Sequence, residues 1–397
     1  MSDPAEILAQ SLLFPELRIL KTKYNGKLLL LDVVKESRGE VCPGCASFVT
    51  RIYDHRLIQV KDEPVRGREV VLSISKRRFE CRNCGKVFSE PVTGILPRRR
   101  TTQRFRKAVL DACENFQSLK KVIEKFRCSS SLIYNALYEQ LELRRRTRMY
   151  PWPEVIGIDE ISFRRNKKFG CTEYATVLVD VNNKRVMELV LGKNKKALME
   201  SLAEIAGREN VRCVVMDMCD SFRSFVKEFF PNATIVADKF HTVRLPTPLL
   251  ISMLKNEIPS FGDRRHMKRL LLSRPQNLDY FERSKLYKFL HHQPRLNALY
   301  TAKERLFAIY AIRYSGQAPR SYERLLGELK ASPFEEVQRI GRTLKRWQNE
   351  VLAFFKYRRT NGIVEGFNNK IKVVKRMAYG YRSFRNFRLR VLNACSG

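Results

Sequence analysis

The stretch VIGIDEISF, Val155–Phe163, places two adjacent acids, Asp159 and Glu160, directly after an apolar run typical of a buried strand. A second apolar run, VVMD, ends at Asp217 in the same way. A buried charge costs free energy unless it is paired or holds a metal. Two carboxylates at the ends of core strands therefore predict divalent cations as their partners wherever the two acids meet.

The sequence around these acids predicts an α/β core. The pattern is three strands, a helix, a strand, a helix and a strand, with a hairpin turning at Asn182 and Asn183. The segments are 155–163, 174–192, 195–206, 211–222, 221–230 and 233–241. This order matches a ribonuclease-H-like core, and no glycine-rich phosphate loop follows the first strand. In such a sheet the first and fourth strands are neighbours, so Asp159 and Asp217 are expected at one edge.

Composition indicates a polyanionic partner. The chain has 397 residues, enough for two or three structural units. Lys and Arg number 76 against 41 Asp and Glu, which gives a net charge of +35 and a pI near 10.1. A basic surplus of this size favours nucleic acid, because each neutralised phosphate releases a condensed counterion. We see no secretory signal in the first residues and no apolar run long enough for a membrane span.

Cysteine spacing predicts a metal site near the N-terminus. Four of the ten cysteines form two CxxC pairs, Cys42–Cys45 and Cys81–Cys84, and strand patterns lie between the pairs. Four thiolates give Zn²⁺ a closed tetrahedral site, which is structural rather than catalytic. We therefore expect an N-terminal region, residues 1–97, with a zinc ribbon at about 40–90 and one structural zinc ion. The other six cysteines have no assigned role.

Residues 98–150 read as a helical DNA-binding domain. One helix is expected at 101–116, followed by a helix, a tight break and a helix, with caps at Ser118 and at Ser129 or Ser130. This is the pattern of a helix-turn-helix, although many three-helix units that bind no DNA share it. The expected DNA contacts are Arg98, Arg99, Arg100, Ser130, Ser131, Tyr134, Asn135, Arg144, Arg145 and Arg146.

The rest of the chain is expected to form a core in two parts, separated by a helical stretch. We expect the first part of the core at 151–243, an all-helical stretch at 244–356 and the last part of the core at 357–397. A helix capped near Thr360 or Asn361 carries Glu365, the candidate third acid. Asp159, Asp217 and Glu365 around two Mg²⁺ or Mn²⁺ ions would make a two-metal site for phosphoryl transfer. Glu160 is expected on the opposite face of its strand, Asp220 as a helix cap and Asp180 as a turn residue.

Several motifs resemble one known family. They are GIDE at 157–160, VVMDM at 214–218, VADKFH at 236–241 and TNGIVEGFNNKIKVVKRMAYGYRSFRNFRLR at 360–390. Together with the CxxC pairs, they resemble the bacterial insertion-sequence DDE transposases of the IS-L-three family. The resemblance implies that Asp159, Asp217 and Glu365 are the catalytic acids. It also implies an auxiliary role for Asp238 and His241, and an insertion domain between His241 and Glu365.

The resemblance implies a reaction as well. Such an enzyme binds the terminal inverted repeats of its element, cuts to expose 3′-OH ends and joins them to target DNA, with no covalent enzyme intermediate. It would work as a homodimer or larger assembly in the bacterial cytoplasm, associated with the nucleoid. Further DNA contacts are expected from Asn361, Asn368, Lys372, Lys375, Arg376, Tyr379, Tyr381 and Arg382.

Two other functions stay open at this stage. The chain could be a zinc-dependent, sequence-specific DNA-binding protein, a domesticated or inactive transposase whose core no longer cuts. It could also be a nuclease with the same core and no joining step. RNA binding fits the charge, but no RNA-binding motif is visible.

Overall fold

A computed structural model describes residues 16–114, 119–165, 170–258 and 260–396. The chain forms two compact units, Met1–Thr147 and Arg148–Gly397. Ser118, an expected helix cap, lies outside the described residues. Within the described ranges, no helix is both long and apolar enough to cross a membrane.

The first unit begins with β-structure. Its strands are β1 (Leu17–Asn25), β2 (Leu28–Lys35), β3 (Glu40–Val41), β4 (Phe48–Val49), β5 (Ile52–Val65), β6 (Arg68–Glu80) and β7 (Val87–Ser89). The main sheet has the order β1-β2-β6-β5, with β7 also paired to β6. Alternate residues of β6, Val70, Leu72 and Ile74, are buried in its core, as the period-two pattern of this segment predicts.

Three helices follow in the first unit: α1 (Gln103–Glu114), α2 (Leu119–Phe126) and α3 (Ser130–Thr147). The buried carboxylate of Asp62 on β5 holds the start of α1, because it accepts hydrogen bonds from Thr102 Oγ1 at 2.6 Å and Arg104 Nε at 2.6 Å. At the start of α3, Ser129 Oγ accepts from the backbone N–H of Leu132 at 3.3 Å. Ser129 is therefore the expected cap.

The second unit is built on an α/β sheet. Its elements are β8 (Val155–Arg165), β9 (Thr172–Asp180), β10 (Arg185–Leu191), α4 (Lys195–Leu202), β11 (Cys213–Met216), α5 (Asp220–Phe229), β12 (Thr234–Ala237) and α6 (Lys239–Val243). A 3-10 turn at Arg208–Asn210 precedes β11. The sheet order is β10-β9-β8-β11-β12, antiparallel on the β9 side of β8 and parallel on the β11 side. The predicted order of elements is confirmed.

Three local expectations in this sheet are wrong. Strand β8 does not end at Asp159 but continues to Arg165, because β9 pairs with it beyond the point where β11 ends. The last strand ends at Ala237, since the side chain of Asp238 caps α6. Asp220 is the first residue of α5, and Cys219 occupies the cap position without a side-chain hydrogen bond.

Two other acids of the sheet have partners of their own. The buried carboxylate of Asp180 accepts from Asn183 N at 3.0 Å and Arg185 Nε at 3.1 Å, which closes the β9–β10 turn. Glu160 forms an ion pair with Lys193 at 3.3 Å.

The stretch after α6 is helical. It contains α7 (Thr247–Glu257), α8 (Phe261–Leu272), α9 (Tyr280–His291), α10 (Pro294–Ala311), α11 (Ala318–Lys330), α12 (Glu335–Arg346) and α13 (Gln348–Tyr357). Short 3-10 turns lie at Pro275–Asn277 and Ser315–Gln317. Then α14 (Gly362–Met377) and α15 (Phe384–Ala394) complete the described chain. No strand occurs at 244–356 among the residues described there, as the pattern predicts.

The two faces of the sheet have separate cores. Ile156, Ile158 and Val214 pack on the side of α4, α5 and the long helical stretch. On the other side, Val177 and Val179 pack against α14 and α15. Glycine at position 157 lets α14 approach β8 closely, since a Cβ added there would lie 2.3 Å from Val364 Cγ2. This approach determines how near Glu365 comes to the strand edge.

We predict that Gly157→Ala lowers the free energy of unfolding by about 1–3 kcal/mol, the usual cost of overpacking a core. The added methyl has no room against Val364, so α14 must shift away from β8. Chemical denaturation measures the loss, and Val364→Ala in the same chain should recover part of it. Gly327→Ala on α11 is the matched control, because its Cβ meets nothing within 4 Å. An equal loss in both glycine variants would contradict the close-approach explanation.

Candidate functional site

Strand register brings three aspartates to one edge of the sheet. Met216 pairs with Ile158 on one side and with Ala237 on the other. The next residue on each of the three parallel strands is an aspartate: Asp159, Asp217 and Asp238. Because parallel strands in register end at the same level, these three residues occupy neighbouring positions at the edge. Asp159 and Asp217 are thus on adjacent strands, as expected, and Asp238 follows on the other side of Asp217.

Asp238 also places a histidine at this edge. Its carboxylate caps α6 by accepting from the backbone N–H groups of Phe240 and His241. The short helix then holds His241 Nδ1 at 2.7 Å from Asp217 Oδ1 and 3.2 Å from Asp238 Oδ2. The hydrogen bond to Asp217, followed in size by the one to Asp238, raises the pKa of His241 to about 10. The imidazole is therefore cationic at neutral pH.

The edge carries more negative charge than its neighbours neutralise. Burial, followed by the charge of Asp217, raises the pKa of Asp159 to about 6. Burial also acts to raise the pKa of Asp238, but hydrogen bonds from His241 and the Asn361 backbone outweigh it and leave that pKa below its ordinary value. Oxygen donors of this kind suit a hard divalent cation. Ligand atoms of Asp217, Asp238 and His241 lie within 4.8 Å of one another, a spacing that a metal ion could bridge by displacing the imidazole proton, whereas Asp159 and Glu365 are outside this cluster.

Helix α14 is fastened to the same edge by two asparagines. The backbone N–H of Asn361, at its N-terminus, donates to Asp238 Oδ1 at 2.9 Å. Two turns later, Asn368 Nδ2 donates to Asp159 Oδ2 at 2.7 Å. Glu365 lies four residues after Asn361 and three before Asn368, so the three residues share one face of the helix. The side chain of Glu365 is exposed.

Asn361 and Asn368 are buried, whereas they were expected to be exposed on a DNA-binding surface. Their exposed fractions are only 5% and 6%, and their side-chain amides bond to Ile158 O and to Asp159. We therefore correct this expectation: these side chains hold α14 in place. Lys375 Nζ donates to Ser162 O at 2.7 Å, and the ring of Tyr381 packs 5.2 Å from that of Phe387. These two groups are also engaged within the unit.

The other expected DNA contacts divide into exposed and ion-paired residues. Arg99 pairs with Glu139, Arg144 with Glu114 and Arg145 with Glu142. Tyr379 is fully exposed at 100%, with a left-handed φ of 52°. The remaining exposed residues are Arg98, Arg100, Ser130, Ser131, Tyr134, Asn135, Arg146, Lys372, Arg376 and Arg382.

Four cysteines form a second cluster, in the first unit. Cys42 Sγ lies 3.6 Å from Cys84 Sγ, and Cys45 Sγ lies 3.5 Å from Cys81 Sγ. Tetrahedral Zn²⁺ with bonds of about 2.3 Å would hold its sulfurs about 3.8 Å apart, so the spacing fits zinc.

The two knuckles that carry these cysteines repeat the same backbone turn. Ala46 N donates to Cys42 O, and Gly85 N donates to Cys81 O. Ala46 and Gly85 both have left-handed φ values, 58° and 68°. The matching turns bring the two cysteine pairs to a common centre, which is the geometry of a zinc ribbon.

Two family models match this chain. A family model described as the zinc-finger of transposases IS204, IS1001, IS1096 and IS1165 matches residues 38–84. The DDE transposase model of the ISL3 (IS-L-three) family matches residues 156–391, more than half of the chain. The chain therefore belongs to the ISL3 family of DDE transposases.

Two relatives indicate how far the similarity extends. The transposase for insertion sequence element IS1001 of Bordetella parapertussis is 24% identical over 385 residues, which cover 94% of this chain and 93% of that protein. The transposase for insertion sequence element IS1557 of Mycobacterium tuberculosis is 26% identical over 260 residues, 57% of each chain. The similarity to the first relative thus includes both units.

We predict one tightly held zinc ion per chain. Cys81→Ser removes one of four thiolates, so the purified variant should contain little zinc and its first unit should unfold more easily. Metal analysis by mass spectrometry and thermal unfolding measure the two effects. Cys171→Ser, an exposed cysteine outside the knuckles, is the matched control and should keep its zinc. Full zinc content in the Cys81 variant would contradict this assignment.

We predict that Asp159→Asn stabilises the chain at pH 8 when divalent ions are absent. The pKa of Asp159 is raised from 3.8 to about 6, so its ionised form disfavours the folded state. Unfolding free energy in the unmodified chain should therefore fall as pH rises from about 4 to 6. A two-unit shift corresponds to about 3 kcal/mol, and partial exposure reduces the expected gain to about 1–2 kcal/mol.

Denaturant unfolding with and without Mg²⁺ tests this prediction. Mg²⁺ should raise the stability of the unmodified chain more than that of the variant. Asp263→Asn, an exposed acid on α8, is the control and should change both quantities little. Equal stability of the Asp159 variant and the unmodified chain at pH 8 would contradict an excess of negative charge at this edge.

Proposed function

We propose that this transposase binds the terminal inverted repeats of its insertion sequence, cuts the DNA to expose 3′-OH ends and joins those ends to target DNA. The observation that carries the proposal is the register that aligns Asp159 with Asp217 beside the helix of Glu365. Both steps are phosphoryl transfers, with water as the nucleophile for cutting and the 3′-OH for joining. One set of acids could therefore serve both.

The acids proposed to hold the metal are Asp159, Asp217 and Glu365. When bound, two Mg²⁺ or Mn²⁺ ions would activate the attacking oxygen and stabilise the leaving 3′ oxygen. The raised pKa of Asp159 supports this proposal, because burial and then the charge of Asp217 disfavour its ionised form, which a bound cation would stabilise. The exposed carboxylate of Glu365 on the same side of α14 would supply the third ligand.

The surrounding residues have positioning roles in this proposal. Asn368 fixes the orientation of the Asp159 carboxylate through its hydrogen bond to Oδ2. Asp238 connects α6 to the start of α14 through hydrogen bonds and so determines the position of Glu365. His241, cationic and with a side chain 46% exposed, would meet the DNA phosphate backbone beside the acids.

We propose the following organisation for the chain. Residues 1–97 would form the N-terminal region with its zinc ribbon and 98–150 a helix-turn-helix domain. Residues 151–243 and 357–397 would form a ribonuclease-H-like core, interrupted by a helical insertion at 244–356. The sheet order β10-β9-β8-β11-β12 and the helices α7–α13 support this organisation.

DNA recognition is proposed for exposed residues of both units. On α3, the exposed side chains of Ser130, Ser131, Tyr134 and Asn135 would face bases in the major groove, with Arg146 near phosphates. In the second unit, Lys372, Arg376, Tyr379 and Arg382 would contact DNA near the acids. Because two ends must be joined, the active form is proposed to be a homodimer or larger, acting on the nucleoid in the cytoplasm.

We predict that Asp217→Asn and Glu365→Gln each lower cutting and joining by at least about 10³-fold, the scale of several kcal/mol lost with a metal ligand. Purified protein is incubated with Mg²⁺ or Mn²⁺ and DNA that contains the ends of its own element. New 3′-OH ends and joined products are measured separately. Asp263→Asn, an exposed acid on α8, is the control and should retain activity.

Each outcome of this assay selects one function. Cutting and joining that disappear in both acid variants support the transposase reaction. Specific binding without cutting by the unmodified, zinc-loaded protein would favour a domesticated or inactive DNA-binding protein. Cutting without joined products would favour a nuclease. Cutting that survives Glu365→Gln would show that the third ligand lies elsewhere.

A further inference from the structure

The outer face of α9 carries a stripe of aromatic and basic side chains that the sites above do not use. These side chains line a shallow groove and belong to Tyr280, Arg283, Ser284, Tyr287, Lys288 and His291. Successive members are separated by three, one, three, one and three residues, so they follow one face of the helix. The opposite face of α9 buries Leu286 and Leu290 in the core. We call the exposed set the α9 stripe.

The aromatic residues at this end of α9 are unusually open to solvent. Tyr280 is 78% exposed, its neighbour Phe281 81% and Tyr287 49%. An aromatic ring that stays in water does not gain the favourable free energy of burial. A group of exposed rings on one helix is therefore best explained by a partner that covers them.

The charge of the stripe is positive. Arg283 and Lys288 belong to it, and no acid does. The nearby acid Glu282 is already occupied, since it forms an ion pair with Arg269 and a capping box with Asp279. The α9 stripe therefore offers cations and open ring faces together.

We propose that the α9 stripe binds single-stranded DNA. Tyr280 and Tyr287 would stack on unpaired bases, while Arg283 and Lys288 would contact the phosphates between them. The two tyrosines are seven residues apart, about 10 Å along the helix axis, which corresponds to a few nucleotides. This inference rests on the family's action on DNA, but not on which acids perform the cutting.

Duplex DNA and a protein partner fit the stripe less well. In a duplex the base faces are stacked on one another, and only unpaired bases can offer them to tyrosine. The central part of a protein interface is normally poor in lysine. A second copy of the stripe would also bring Arg283 and Lys288 against the same cations.

Packing places the stripe in the same unit as the acid edge. Helix α9 packs against α10, and α10 packs against α6, the short helix that carries His241. Single-stranded DNA bound on α9 would therefore be held by helices that continue to the catalytic edge. This location therefore suits unpaired nucleotides that adjoin a cut end.

The test is a binding measurement without divalent ions, so that no cutting occurs. Fluorescence anisotropy compares a short single-stranded oligothymidine with a blunt duplex of equal length. The double variant Tyr280→Ala, Tyr287→Ala should weaken single-strand binding by at least about tenfold, since each stacked base contributes about 1–3 kcal/mol. Duplex binding should change less than about twofold.

Two further variants sharpen this result. Tyr280→Phe with Tyr287→Phe keeps the ring faces and should bind single strands almost as the unmodified chain does. Tyr314→Ala is the matched control, because this tyrosine is 76% exposed in the same unit but outside the stripe. It should leave both affinities unchanged, and thermal unfolding checks that every variant is folded.

Three outcomes would overturn the inference: unchanged single-strand affinity in the alanine double variant, an equal loss for single strand and duplex, or a change of oligomeric state at unchanged DNA affinity. The last of these would identify the stripe as a contact between copies. Asp217→Asn should bind single strands normally. Failure of the proposed cutting reaction and failure of this inference are therefore distinguishable.

Discussion

The parallel register of β8, β11 and β12 is the constraint on which the rest of the site depends. Each strand ends its parallel pairing one residue before an aspartate, so three carboxylates are forced to neighbouring positions. Burial and then repulsion by Asp217 raise the pKa of Asp159, which is the cost of placing these carboxylates together. Every other feature of the edge either reduces this repulsion or uses it to attract cations.

Asp238 connects more elements than any other residue of the edge described above. One oxygen of its carboxylate caps α6 and contacts His241, and the other accepts from the backbone of Asn361 at the start of α14. A single buried carboxylate thus fixes two helices relative to the sheet. Its loss would move His241, three residues later, together with Glu365, which lies more than a hundred residues further along the chain.

Much of this architecture was predictable from the sequence, because strand patterns and CxxC spacing depend on local residue order. The order of elements in the sheet, the helical stretch after α6 and the four-cysteine cluster all follow from such patterns. The extent of β8 did not, since its length is determined by pairing with β9 rather than by its own apolar residues.

The roles of Asn361, Asn368 and Gly157 were also hidden in the sequence. Two polar residues in a basic helix resemble a DNA-facing surface until the helix is seen to dock on buried carboxylates. Gly157 carries a faint signal, a glycine inside a buried strand, which often marks the close approach of another element. Contacts between residues more than two hundred positions apart cannot be inferred from local spacing alone.

Mapping the metal on the folded chain tests the central claim most directly. Fe²⁺ replaces Mg²⁺ in the complex with element-end DNA, and ascorbate with peroxide then cuts the polypeptide wherever iron is bound. If Asp159, Asp217 and Glu365 hold the metal, cuts should appear next to these three residues, and added Mg²⁺ should suppress them. Cuts confined to Asp217, Asp238 and His241, with none on α14, would contradict this claim and assign the metal to the aspartate–histidine cluster instead.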